Sequence, residues 1–290
     1  MQRQRLKVMS NHRPPTAFFL LVILLSIPIW AIGPVAERLL PAELPTSLPL
    51  SSLMTFTPII AAVILVQREE GSRGVKALLK RAFDYRKIEK KAWYAPIVLF
   101  WPAVMILQVG LLRLAGVPLP EPQVPVLMML VSFLVFFIAA LGEEVGWQGY
   151  AMDPLQTRWN AMAASVFLGT VWAVWHIVPL IQMNRLPASI AWQCLGMVAA
   201  RILIVWLYNN TGQSVFAAIL FHAMINVSTV LLAGYGWPYD PCIVLLILAV
   251  AAGIVTFLWG PKTLARYRYA RPGRELSSSS TGWPASKTGA

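Results

Sequence analysis

The chain has 290 residues, of which 58% are hydrophobic and 12% charged, where a soluble domain carries about 25% charged residues; an ordinary soluble enzyme is excluded. The net charge of +12 would suit a nucleic-acid binder, but the basic residues are confined to one set of loops, so the charge reports membrane orientation and nucleic acid is excluded as a partner. Cys194 and Cys242 have no CxxC spacing, which excludes a disulfide framework and a metal knuckle.

A basic cytoplasmic segment, residues 1–15 with Arg3, Arg5, Lys7 and Arg13, precedes the first apolar run at 16–36. That run is too long for a signal-peptide core and ends without a small-residue cleavage site, which predicts a retained helix. A second run, 48–67, leads into Arg68 to Ala92. There Val75, Leu78, Leu79, Ala82 and Phe83 recur at helical spacing among lysines and arginines, which predicts an amphipathic helix on the cytoplasmic leaflet. Further apolar runs follow at 93–116, 124–142, 161–181, 190–208, 214–233 and 241–259. Each is close to the roughly 20 residues that cross a hydrocarbon core about 30 Å thick.

With eight spans, the amino terminus, the 68–92 stretch, Arg158 and the basic tail fall on one side, and only Arg38, Arg113 and Arg185 on the other. This positive-inside pattern places both termini in the cytoplasm. The expected fold is an all-α polytopic membrane protein. It has one membrane domain, 16–260, and a Ser/Gly/Pro-rich tail, 261–290, without apolar periodicity, expected to be disordered. The lipid bilayer is its first partner, and the absence of an organelle-retention signal suits a multi-pass protein of a bacterial plasma membrane.

Polar residues within the spans are few. Glu143 and Glu144 end the 124–142 run, near its cytoplasmic edge by span counting, and Gln148 shares a helix face with Glu144 at i,i+4. Gly142, Gly146 and Gly149 form a small-residue stripe that a neighbouring helix can approach closely. His176 lies in the fifth span, four residues after Trp172. Arg201 lies in the sixth, and His222 and Asn226 lie one helical turn apart in the seventh. An intramembrane His or Asn alone reads most simply as interhelical glue. Together, two carboxylates, two imidazoles and an amide suit the activation of water: a carboxylate takes the proton, a neutral histidine orients the water and an amide donates to an oxyanion.

At these residues the chain resembles the CAAX-protease and bacteriocin-processing family of intramembrane proteases. Its motifs are Glu-Glu followed four positions later by Arg, then aromatic-x-x-x-His, then His-x-x-x-Asn or Asp. Here they read Glu143-Glu144 with Gln148, Trp172 with His176, and His222 with Asn226, in order over about 124–232. Gln148 replaces the usual Arg, and Trp172 the commoner Phe. Arg201 is expected to lie close to the Glu143–Glu144 pair and to supply the missing charge to Glu144 or to the catalytic water, because an unpaired guanidinium within a span is costly.

The resemblance implies an intramembrane endopeptidase acting on a protein or peptide substrate, which in some relatives is lipidated. The expected roles are Glu143 as general base assisted by His176, Glu144 holding the geometry, and His222 with Asn226 stabilising the oxyanion, in a cavity open to the cytoplasm. No cofactor is expected. The alternative is a zinc-dependent metalloprotease in which Glu143, His176 and His222 are the ligands. The rival class is a non-catalytic membrane protein, a bacteriocin self-immunity factor or a transporter, whose mid-membrane site also collects acids and histidines.

Overall fold

A computed structural model describes residues 15–39, 49–120, 126–234 and 236–265. The basic residues before Pro15, the loop prolines Pro41, Pro45 and Pro122, and the tail beyond 265 lie outside the described residues. Eight long helices follow in order: α1 (Pro15–Leu39), α2 (Thr57–Lys80), α3 (Tyr94–Leu114), α4 (Val126–Gly146), α5 (Ala161–Gln182), α6 (Pro187–Asn210), α7 (Val215–Gly234) and α8 (Pro241–Trp259). They coincide with the apolar runs to within a few residues, except that α2 runs further. Seven segments are long and apolar enough to cross a membrane, while the apolar part of α7, Val215–Leu231, is shorter. Leu24, Leu99, Leu134 and Val250 are exposed on the outer surface, as lipid-facing side chains are. The chain is a polytopic all-α membrane protein.

Lipid tails are as apolar as leucine, so helices here associate through close packing and buried hydrogen bonds. The tightest contact joins α2 to α4. A Cβ at Gly142 would lie 2.8 Å from the Thr55 carbonyl oxygen, and one at Gly146 would lie 2.5 Å from the Pro58 carbonyl oxygen. The expected stripe therefore holds for these two glycines. It ends before Gly149, where the nearest atom would be 3.5 Å away. A second close approach sets Gly169 of α5 against Val198 and the Arg201 side chain of α6. Ser26 of α1 ties three helices, sharing a hydrogen bond with Thr57 at 2.9 Å and accepting one from the Trp175 indole at 2.8 Å.

The amphipathic stretch is helical up to Lys80: it forms the second half of α2, set off from the first by a break at Gly71, whose φ of 65° and ψ of −165° suit glycine. Within this stretch Leu78 and Ala82 are buried. Arg81 also turns inward, donating to the Gly149 carbonyl and the Tyr208 hydroxyl and pairing with Asp153 at 3.3 Å. The helical run continues past the glutamates, as the shared face of Glu144 and Gln148 requires, although the apolar run ends there. It passes through a π-helical turn, Trp147–Ala151, into a further helical segment, Met152–Arg158, so Glu143 lies near the middle of the segment Leu127–Arg158. Single π-turns inside helices recur at functional sites.

The loops sort onto two faces. On one, Ser214 donates to Asp84, Ala161 N–H to the Lys262 carbonyl and Asn209 to the Thr263 carbonyl. This face carries the basic residues between α2 and α3. On the other, Gln108 donates to the Pro238 carbonyl and Trp237 to that of Pro120.

Candidate active site

The close approach of α2 to α4 brings Thr55, in the 3-10 turn Leu50–Phe56 that precedes α2, against Glu143. The Thr55 hydroxyl lies 3.0 Å from Glu143 Oε1 and from the Ala139 carbonyl oxygen. The other Glu143 oxygen accepts a 2.7 Å bond from the Trp172 indole N–H on α5. Each carboxylate oxygen has two lone pairs, so both retain capacity to accept a proton. Glu143 lines the cavity described below and is 4% exposed.

Glu144 faces away from Glu143 into the helix bundle and is fully buried. Its Oε2 lies 2.8 Å from Arg201 Nη1 and its Oε1 lies 2.9 Å from His222 Nδ1. Arg201 and Glu144 are both 0% exposed, so each is the condition for the other: a buried guanidinium without a carboxylate is prohibitive, and the reverse is equally true. The charge expected from Arg201 is present. Gln148, at the position of the family's arginine, is buried, and neither its amide nitrogen nor its oxygen has a hydrogen-bond partner among the described residues.

Trp172 is the hub. Besides donating to Glu143, its ring carries the Arg201 guanidinium 4.4 Å from its centroid. It also meets the rings of His176 and His222 edge-on at 5.4 and 5.2 Å. A phenylalanine would preserve the ring contacts and lose the donor to Glu143. The indole at this position therefore does more than supply an aromatic ring.

The two histidines are oriented by what their Nδ1 atoms meet. His176 Nδ1 lies 2.9 Å from the Trp172 carbonyl oxygen, a group that only accepts, so Nδ1 carries the hydrogen and Nε2 has a free lone pair. His222 Nδ1 likewise donates to Glu144.

Glu143, Trp172, His176, His222 and Asn226 all line one cavity of about 510 Å³, a size that holds a drug-sized ligand or a short peptide. Glu144 and Arg201 stand behind it. The structure thus brings the sequence-predicted residues together, in front of or behind a single wall.

The cavity runs from this cluster towards Pro179, Met183, Arg185 and Tyr239, at the ends of helices that lie on the face opposite the basic loops. These lining residues lie towards the face opposite the basic loops, whereas the expectation from sequence put the cavity mouth and the basic loops on the same, cytoplasmic side. Thr55, Arg185 and Tyr239 escaped sequence reasoning. Thr55 is a common residue near a span start, and the other two sit in loops.

Among the described residues no three His, Cys, Asp or Glu side chains converge to hold a metal ion.

The family model described as type II CAAX prenyl endopeptidase, Rce1-like, matches residues 125–228, which contain every member of the cluster except Thr55. CAAX prenyl protease 2 of Methanococcus maripaludis is 32% identical over 197 residues, covering 61% of this chain and 69% of that protein.

Proposed function

The chain belongs to the type II CAAX prenyl endopeptidase family, and from that premise we propose that it hydrolyses a peptide bond near the lipid-modified end of a polypeptide, with Glu143 as the general base. The observation that carries this reading is the cavity with Glu143 and His176 on its wall and no compensating cation on Glu143. Glu144, by contrast, is committed to Arg201 and His222.

Water in the cavity donates one hydrogen to Glu143 and the other to His176 Nε2. This turns its remaining lone pair towards the scissile carbonyl carbon. As oxygen attacks, Glu143 takes the proton. The carbonyl oxygen becomes an oxyanion facing the Asn226 amide and His222, which stabilise charge where it develops. Glu143 then returns its proton to the amide nitrogen, the C–N bond breaks, and a carboxylic acid and an amine leave. Thr55 and Trp172 hold the carboxylate throughout; a group that must act twice in one turnover gains from a fixed position.

The walls supplied by Met54, Phe136, Met197 and Leu248 suit an apolar chain beside the peptide. A prenylated CaaX tail, the substrate class in the Methanococcus protein's name, has this chemistry. The protein works in a lipid bilayer, and its charge pattern suits the plasma membrane of a bacterium with the basic loops inside. The rival non-catalytic reading has no use for a carboxylate held by two donors at a cavity wall.

The test is cleavage of a prenylated CaaX peptide by purified protein in detergent or liposomes. Turnover is expected, with a loss of about 100- to 10,000-fold in Glu143→Gln, the usual cost of removing a general base. Near-normal turnover in that variant would sink the mechanism. No metal is required on this reading, so elemental analysis should find less than one zinc per chain and chelation should leave the rate unchanged. Stoichiometric zinc, lost with activity and restored with it, would overturn that.

A further inference from the structure

Among the described residues lining the cavity, Arg185 carries the one permanent cation. It sits at the cavity mouth, where α5 ends. Asn184 takes a left-handed conformation with φ of 54°, and Arg185 N–H returns to the Leu180 carbonyl oxygen at 3.2 Å. The turn therefore folds Arg185 back onto the helix that carries His176, and its side chain is exposed.

The membrane face it occupies is poor in basic residues, since most arginines and lysines lie in the loops opposite. Arg185 is close enough for its charge to act on Tyr239, a second lining residue, whose phenol burial pushes up to about 12. That hydroxyl is therefore a neutral donor at any working pH. Gln193, at the start of α6, lines the same region.

The distance matters. From His176 to Gln182 the helix rises about 9 Å at 1.5 Å per residue, and Arg185 follows in the returning turn. Three extended residues span about 10 Å. A CaaX tail has three residues after its lipidated cysteine and ends in a free carboxylate. With the bond after that cysteine held at Glu143, the carboxylate falls at the mouth. An arginine fork beside a tyrosine hydroxyl is well matched to it, because guanidinium binds carboxylate with two parallel hydrogen bonds.

We propose that Arg185, assisted by Tyr239, is the binding site for the free terminal carboxylate of the substrate and of the released tripeptide, and that it measures the distance from the chain end to the cut. This rests on the endopeptidase reading, and it adds what that reading lacks: a reason why hydrolysis occurs at one bond. Arg185 positions the substrate and takes no part in the proton transfers.

The experiment compares prenylated-cysteine peptides carrying two, three or four residues beyond the cysteine, each as free acid and as carboxamide. Wild type is expected to favour the three-residue acid over its amide by about tenfold or more in kcat/KM, mostly in KM, as one charged hydrogen-bonded contact gives. Arg185→Gln should lose that preference, and Arg185→Lys should keep part of it. Equal use of acid and amide by wild type, or an undiminished preference in Arg185→Gln, would overturn the proposal.

Binding of the tripeptide acid to the Glu143→Gln variant, measured by calorimetry, separates this proposal from its premise. Binding that weakens on amidation and on Arg185→Gln supports the carboxylate site whether or not wild type cleaves. Failure of wild type to cleave any of the peptides tells against the endopeptidase reading. Tripeptide binding indifferent to Arg185 tells against the carboxylate site.

Discussion

At the scale of single residues, the two adjacent glutamates have been driven apart by their neighbours. Glu143 accepts from neutral donors, Thr55 and Trp172, and keeps lone pairs for a proton. Glu144 is neutralised by Arg201 and orients His222. Trp172→Phe is therefore expected to leave the protein folded and to lower kcat by about tenfold, the cost of one hydrogen bond to a charged group; single-turnover kinetics at saturating peptide check this. Arg201→Ala leaves Glu144 buried and unpaired, and such losses cost about 3–5 kcal/mol. A fall in thermal midpoint together with activity is expected, and Gln148→Arg in the Arg201→Ala background should restore part of both by returning charge to the neighbouring turn of α4. If Arg201→Ala were as stable as wild type, the pair would not be holding the site.

At the scale of helices, the site depends on how closely α2 approaches α4. At Gly146 an added Cβ would meet the Pro58 backbone, which cannot yield without moving the helix; at Gly149 it would find ordinary contact distances. Gly146→Ala should thus cost about 1–3 kcal/mol, as overpacking does, and should weaken the Thr55 contact to Glu143. Gly149→Ala should be nearly neutral. Parallel melting curves and peptide turnover for the two variants test this, and equal behaviour would show that the helix contact is looser than the geometry states. The π-turn after Gly146 belongs to the same account: it follows the glutamates and itself receives Arg81 at the Gly149 carbonyl, and so joins the helix that carries them to the basic end of α2.

At the scale of the whole molecule, charge and cavity lie at opposite ends. The positive-inside pattern predicts cytoplasmic basic loops and hence a cavity mouth on the other side. Replacing the free thiols Cys194 and Cys242 gives a background for single cysteines. Leu186→Cys, beside the mouth, is expected to react with a membrane-impermeant maleimide in intact cells, and Lys90→Cys only after permeabilisation. The reverse result would place the mouth in the cytoplasm and show that the basic loops do not govern orientation in this chain.

The sequence by itself determined the eight helices, because a run of some 20 apolar residues has no other low-energy state in a bilayer than a helix with its backbone bonds closed internally. It also identified the cluster, since acids, imidazoles and a guanidinium within such runs are too costly to stand unpartnered. Even the Arg201–Glu144 pair followed from that cost, there being few other buried acids to meet it. Only the tertiary structure showed what sets the two glutamates apart, because both have the same intrinsic chemistry and differ solely in the donors that packing brings to them. Tertiary packing likewise recruited Thr55 from a distant helix start and gave the Trp172 N–H its acceptor. It placed Glu143 in mid-helix, through a π-turn that no apolar periodicity signals, and turned the cavity away from the basic loops. Those are consequences of distances between helices, which are set by where glycine leaves room for a neighbouring backbone.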